Sequence, residues 1–211
     1  MNPYDPSSIQ KFIQFLTQQR DSQGRATLAE LRRAAADPSN DTRTLWLLGP
    51  YLPESNGWAF DSYRLVATLF ALYAQRFTIP NGGYDIPRFE NKDEDISYNA
   101  MTDNTLSSTQ PKWVRKSFGA SLRRLRNQLS AGEESLDQRF VALLDTNRED
   151  IGVPLRGFVQ RLASSQLGIP VDFKQLLTDL LHWDGQHTRR QWARDYWQPI
   201  TTDHLTDEPA V

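Results

Sequence analysis

Apolar residues recur along this chain at intervals of three and four rather than two, and runs of β-branched residues are almost absent, so the pattern predicts helices throughout. Ile9, Phe12, Ile13 and Leu16 form the apolar stripe of a first helix, with Ser7 or Ser8 as its N-cap and Gly24 at its end. A second helix is expected over about 26–36, stopping before Pro38. A third, about 43–52, carries Leu45, Trp46 and Leu48 and ends at Pro53. The fourth, about 59–77, is apolar on most sides through Leu65, Val66, Leu69, Phe70, Leu72 and Tyr73, as suits the central helix of a bundle.

The stripe then stops. Residues 80–111 hold Asn81-Gly82-Gly83, Pro80, Pro87 and Pro111, and the acidic run Asp93-Glu94-Asp95. Arg88 and Lys92 face six acidic residues there (Asp85, Glu90, Asp93, Glu94, Asp95 and Asp103), which reads as a long exposed connection. Helical periodicity resumes at about 113–129, 135–146, 154–166, 173–183 and 188–197, and a polar tail follows. The expected fold is all-α, with two small helical bundles joined by a long loop: an N-terminal bundle over 1–79, the acidic loop over 80–111, a C-terminal bundle over 112–198 and a tail over 199–211. No internal repeat or low-complexity segment interrupts this order.

At 211 residues and 38% hydrophobic content the chain can bury a core of its own. The charge balance of -2 does not announce a nucleic-acid partner, so any such role has to come from local clustering. The absence of cysteine excludes disulfides, thiolate zinc, iron–sulfur clusters and a cysteine nucleophile, and fits a reducing, cytoplasmic setting. The segment Met1-Asn2-Pro3-Tyr4-Asp5 lacks the basic-then-apolar order of a signal peptide. The longest apolar run, Leu65 to Ala74, is about half a membrane span, so the protein is expected to be neither secreted nor membrane-spanning.

Catalytic signatures are wanting. His182 and His187 stand five apart with Gly185 between them, the wrong spacing for a shared metal with Asp184. Asp93, Glu94 and Asp95 lack the order of a calcium loop. No nucleophile elbow, phosphate-binding glycine loop or dinucleotide fingerprint is present, and Asn81-Gly82-Gly83 reads as a turn. The expectation is a protein that is not an enzyme and carries no metal or cofactor.

The informative segment is 112–132, which contains Lys112, Arg115, Lys116, Arg123, Arg124 and Arg126 and no acidic residue. On a helical wheel with Arg115 at zero, Val114, Phe118, Leu122, Leu125 and Leu129 fall between roughly -100° and -20°. Lys112, Arg115, Lys116, Arg123 and Arg126 fall between roughly 0° and 100° on the same wheel, with Gly119 inside their arc. A residue without Cβ there would let a phosphate backbone approach; the alternative is a solvated face whose glycine eases packing. A helix that began at Ser117 would detach Lys112, Arg115 and Lys116 from the wheel. Replacing Arg123 and Arg126 by Glu is expected to weaken DNA binding and spare the fold, both lying off the apolar arc. Smaller basic groups are Arg32-Arg33, with Arg25 on the same side, and Arg189-Arg190. Of the six tryptophans, most occupy apolar helical positions that suit a core better than base stacking.

In this order the segments ATLAELRRA (26–34), LWLLGPYL (45–52), Gly57-Trp58 before YRLVATLFALYA (63–74), SFGASLRRLR (117–126), QRFVALLDT (138–146), PLRGFVQRL (154–162) and FKQLLTDLLHWDGQHTRRQWARDYW (173–197) resemble the small subunit of the type I-E CRISPR Cascade complex, the CasB family. The resemblance covers most of the chain outside the acidic loop. It implies a non-catalytic all-α subunit, present as two copies beside the backbone and large subunits of an RNA-guided antiviral complex. There it would brace the heteroduplex of guide RNA and target DNA and hold the displaced DNA strand. It also implies nucleic-acid contact by Arg32 and Arg33 in ELRRA, by Arg123, Arg124 and Arg126 in SLRRLR, and by Arg156 in PLRGF. Lys112, Arg115 and Lys116 rest on the wheel alone.

Such a role is physically coherent, because R-loop formation exchanges duplexes of similar stability and a few contacts to the displaced strand tip the balance. Sequence neutrality calls for phosphate contacts, which Arg and Lys supply. The acidic loop departs from a DNA clamp's expected charge; it would either contact a basic neighbouring subunit or compete with nucleic acid for the basic helix. The competing reading is a helical protein-interaction adaptor whose basic helix docks on an acidic protein, and a more remote one is a hydrolase built on His182 or His187 with Asp184.

Overall fold

The structure, a computed structural model, describes residues 2–21, 24–36, 41–54, 57–75, 117–129, 131–165 and 168–198. Among these lie nine α-helices and no strand, so the fold is all-α as the periodicity predicts. They are α1 (Pro6–Asp21), α2 (Arg25–Ala36), α3 (Asp41–Leu48), α4 (Trp58–Ala74), α5 (Phe118–Arg126), α6 (Glu133–Asp145), α7 (Gly152–Ser164), α8 (Phe173–Leu181) and α9 (Gln186–Trp197). The acidic loop, Lys112, Arg115, Lys116 and the C-terminal tail lie outside the described residues.

Local chemistry shifts several helix ends from their expected places. Ser7 and Ser8 sit inside α1; Asp5 starts it, its carbonyl accepting the N–H groups of Ser8 and Ile9 at 3.0 and 3.1 Å. The Asp5 carboxylate also accepts the Ser7 and Ser8 hydroxyls, and the Ser7 bond foremost holds it below the usual carboxylate range. α3 ends at Leu48 and tightens into a 3-10 turn over Gly49–Tyr51, where Pro50 cannot donate to a continuing helix. α5 begins only at Phe118, because Ser117 takes a non-helical conformation and its hydroxyl accepts the Ala120 N–H at 3.4 Å. At α8, Asp172 caps in the same way, accepting from Gln175 at 2.9 Å.

α4 is the central helix. It packs on α2 from the first half of the chain and on α7 and α8 from the second, while α1 also lies on α8. Buried side chains from all nine helices join one hydrophobic cluster, among them Phe12, Leu31, Leu48, Leu69, Leu122, Phe140, Leu155, Leu177 and Trp192. Each such side chain contributes about 1.5–3 kcal/mol of burial free energy. Tyr73 on α4 donates its hydroxyl to the carbonyl of Ile169 at 2.6 Å, so the two halves are joined by a polar contact as well as by packing.

Candidate nucleic-acid interface

α5 carries the strongest concentration of basic side chains, and its packing decides which of them face solvent. Phe118, Leu122 and Leu125 are buried, as the wheel predicts. Gly119 is buried too, so of its two readings the open glycine for a phosphate backbone fails and the glycine that eases packing holds. A Cβ on Gly119 would stand 2.2 Å from the carbonyl oxygen of Trp192, so this position is where α5 crosses α9. The Ser117 hydroxyl donates to Asp195 of α9 beside that crossing. The middle of the expected basic arc is therefore covered by a neighbouring helix.

The three α5 arginines go separate ways around the crossing. Arg126 turns to α6 and binds Asp137 through two bonds, Nε to Oδ1 at 2.7 Å and Nη2 to Oδ2 at 3.0 Å. Tyr196 donates its hydroxyl to the same carboxylate at 2.6 Å, and Glu133 stands 3.9 Å from Arg126. The hydrogen bond from Arg126 pulls the Asp137 pKa below the usual carboxylate range, and the same bond raises that of Arg126. Burial pushes the Tyr196 hydroxyl up, with the Asp137 bond adding to it. An Arg126→Glu change would set a carboxylate against Asp137, so the expectation that this substitution spares the fold is corrected. Arg123 reaches the carbonyl of Gln198 at 3.3 Å, a contact that leaves most of the guanidinium available. Arg124 is half-exposed and makes no hydrogen bond or ion pair among the described residues. All three lie in the last turn, where the helix dipole favours cations.

The other arginines singled out by the sequence stand apart from α5. On α2, Arg32 is half-buried, and exposed Arg33 pairs with Glu30 one turn earlier. Arg189 is structural: its guanidinium lies 5.2 Å over the Trp183 ring and donates to the carbonyls of Trp183 and Thr146, both at 3.3 Å. Arg156 lines a cleft of about 400 Å³ beneath α4, together with Arg64 of α4 and Arg148 of the α6–α7 connection. Sequence reasoning missed Arg64 and Arg148. The available signal was a lone Arg in the otherwise apolar run YRLVATLFALYA, while Arg148 gives none.

His182 and Asp184 are engaged separately. His182 Nδ1 lies 2.9 Å from the Thr178 carbonyl and its ring meets Tyr4 edge-on at 5.6 Å. Asp184 accepts from Arg148 at 2.9 Å, so it does not orient either histidine. Among the described residues no three His, Asp or Glu side chains converge on a metal position. Trp183 and Trp192 are fully buried, their rings 5.0 Å apart, whereas Trp46 is 81% exposed. Asp179 lies beneath this aromatic pair, accepting from Trp192 at 2.6 Å and Gln175 at 2.7 Å, and burial pushes its pKa up to about 6. No described helix is long and apolar enough to cross a membrane.

Comparison with known proteins follows the same segments. Residues 27–197 match the family described as CRISPR-associated protein Cse2. A Cse2 protein of Thermus thermophilus is 38% identical over 81 residues, a stretch covering 37% of this chain and 45% of that protein. The crystal structure of M. ruber CasB superposes with a TM-score of 0.57 at 28% identity, covering 92% of this chain and 94% of that one. A chain from a structure described as a CRISPR RNA-guided surveillance complex gives a TM-score of 0.58 at 20% identity, covering 90% of this chain and 92% of its own, a likeness of fold.

Proposed function

Since the chain belongs to the Cse2 family of CRISPR-associated proteins, we propose that it is a non-catalytic small subunit of an RNA-guided Cascade surveillance complex and stabilises the R-loop through sequence-independent contacts to the displaced DNA strand. Its partners on this reading are the backbone and large subunits, a second copy of itself, the guide RNA and the target DNA. The likeness to a chain of a surveillance complex supports the assembly. The observation that carries the nucleic-acid role is the C-terminal turn of α5, where Arg123 and Arg124 lie on a helix without a single acidic residue, away from its buried Phe118, Leu122 and Leu125 face.

Phosphates carry one charge per nucleotide whatever the base, so guanidinium groups that reach only the backbone bind any sequence. The guide pairs with the target and reads it; the subunit adds favourable contact to the strand that pairing displaces. Arg32, Arg33 and Arg156 supply further contacts on the same reading, apart from α5; Lys112, Arg115 and Lys116, which precede the Ser117 cap and so leave the wheel, are proposed only as basic residues of the same stretch of chain. The test is the Arg123→Glu/Arg124→Glu double variant assembled into the complex. We expect target-DNA affinity to fall at least tenfold with the subunit's melting temperature preserved; unaltered affinity in a correctly assembled complex contradicts the proposal.

A further inference from the structure

Contacts to phosphates alone do not tell a displaced strand from a duplex, because both carry the same charge on every nucleotide. What only an unpaired strand offers is the open face of its bases, which aromatic side chains beside a basic surface receive. The outer face of α9 provides both. His187, Arg190, Arg194 and Trp197 follow one another at helical spacing, so they share one side of the helix, and all four are exposed. Asp195, the sole acidic residue of α9, is occupied on the α5 side, accepting from Ser117 and, at 2.9 Å, from Gln191. Arg190 meets the neutral Gln186 side chain at 2.7 Å, and the Arg194 guanidinium makes no hydrogen bond or ion pair among the described residues.

Trp197 differs from the tryptophans of the core. Trp183 and Trp192 are fully buried, whereas Trp197 is 46% exposed. Its ring is nonetheless held in place: Phe140 meets it edge-on at 5.3 Å and 60°, and Tyr196 at 5.0 Å and 85°. A ring fixed by its neighbours on one side and open on the other loses little freedom when a second ring stacks on it. The next residue, Gln198, accepts Arg123 of α5 through its carbonyl at 3.3 Å. The exposed ring thus continues the surface of the α5 turn that carries Arg123.

We infer that Trp197 stacks an unpaired base of a single strand running along Arg190 and Arg194, and so makes the subunit prefer an unpaired strand to a duplex. The inference rests on the nucleic-acid reading above and adds to it a contact with the base, which phosphate-binding arginines cannot supply. Every base has a π-face, so the stack tells unpaired from paired without reading sequence. Arg190 and Trp197 stand about 10 Å apart along the helix axis, so the strand follows α9 rather than touching it at one point.

The experiment uses the full-length chain and DNA of one length in three forms: a fluorescent single strand, the same strand with abasic sites that keep every phosphate, and the duplex. The wild type should bind the intact strand about fivefold to tenfold more tightly than the abasic one, the size of one stacked base. Trp197→Leu should lose that factor on the intact strand, leave abasic binding and the salt slope unchanged, and remove the preference over duplex. Trp197→Tyr keeps a ring and should retain most of the factor. Arg194→Gln should weaken both single strands alike and lower the slope of log affinity against log salt by about 1. If Trp197→Leu folds poorly, tryptophan emission decides: the intact strand should quench the wild type more than Trp197→Tyr, and the abasic strand should quench the two equally. Equal quenching by the intact strand, or a wild type that holds intact and abasic strands alike, overturns the stack and leaves the α5 reading standing. A Trp197→Leu loss of equal size on both strands assigns the ring to packing, and unchanged binding leaves it for a protein neighbour; either overturns the stack. A wild-type chain that binds no DNA overturns both readings.

Discussion

Arg126 and Arg156 are both half-exposed helical arginines picked out by the same sequence argument, yet their surroundings are opposite. Arg126 has two bonds to Asp137, a carboxylate that also takes the Tyr196 hydroxyl, with Glu133 nearby. Arg156 lines a cleft with two further arginines and keeps a buried Nε without an acceptor among the described residues. The first guanidinium is engaged in holding α5, α6 and α9 together; the second has bonding capacity left for a ligand. A basic residue in a promising motif therefore becomes a binding candidate only after its intramolecular partners are known.

The largest effect expected around Arg126 comes from Gly119→Ala. Its new Cβ would sit 2.2 Å from the Trp192 carbonyl, and backbone cannot move aside as a flexible side chain does. Separating α5 from α9 should cost on the order of 3 kcal/mol, read as a lowered midpoint of chemical denaturation. A midpoint within experimental error of the parent would show that the crossing is looser than described. Arg126→Ala comes next. It leaves Asp137 with the Tyr196 hydroxyl alone and should destabilise by about 2 kcal/mol, with most of that loss shared with Asp137→Asn in a double-mutant cycle. Additive losses would mean that the two residues act independently.

A smaller effect separates the two unusual carboxylates by pH. Asp179 in the folded chain holds its proton up to about pH 6, against an ordinary value of 3.8, so stability from this group falls as pH rises through that window and levels off above it. Asp137 runs the other way: its lowered pKa gives stability that is present above the ordinary carboxylate range and disappears as pH falls through the folded value. Asp179→Asn should flatten the pH 4–6 limb while leaving the acid limb of Asp137 in place. An unchanged stability profile would contradict the burial of the Asp179 charge. The smallest stability change belongs to Arg156→Gln, expected within about 0.5 kcal/mol of the parent, in contrast to Arg126.

Much of the architecture was legible from periodicity, because α4, α5 and α8 bury continuous stripes such as Leu69 with Tyr73 and Leu176 with Leu180. Helix ends were less so: Ser117 competes with its own backbone to start α5 late, and Asp5 captures the cap expected of Ser7 or Ser8. At the candidate interface the arginines of SLRRLR were visible as charge, but their fates were not. Arg126 meets Asp137 across a turn, Gly119 meets Trp192 at a distance in sequence that no local pattern encodes, and Arg64, Arg148 and Arg156 converge only through the packing of α4 on α7. Such outcomes depend on tertiary contacts, and a helical wheel treats each helix as if it had none.

The central claim is that this subunit holds nucleic acid through phosphates and reads no bases. Its most direct test is the affinity of the full-length chain for two single strands of unrelated sequence, measured across a range of salt. The account predicts affinities that agree within about twofold and fall in parallel as salt rises, because both strands present the same charge. Affinities that differ tenfold between the sequences, or that stay level with salt, would contradict it.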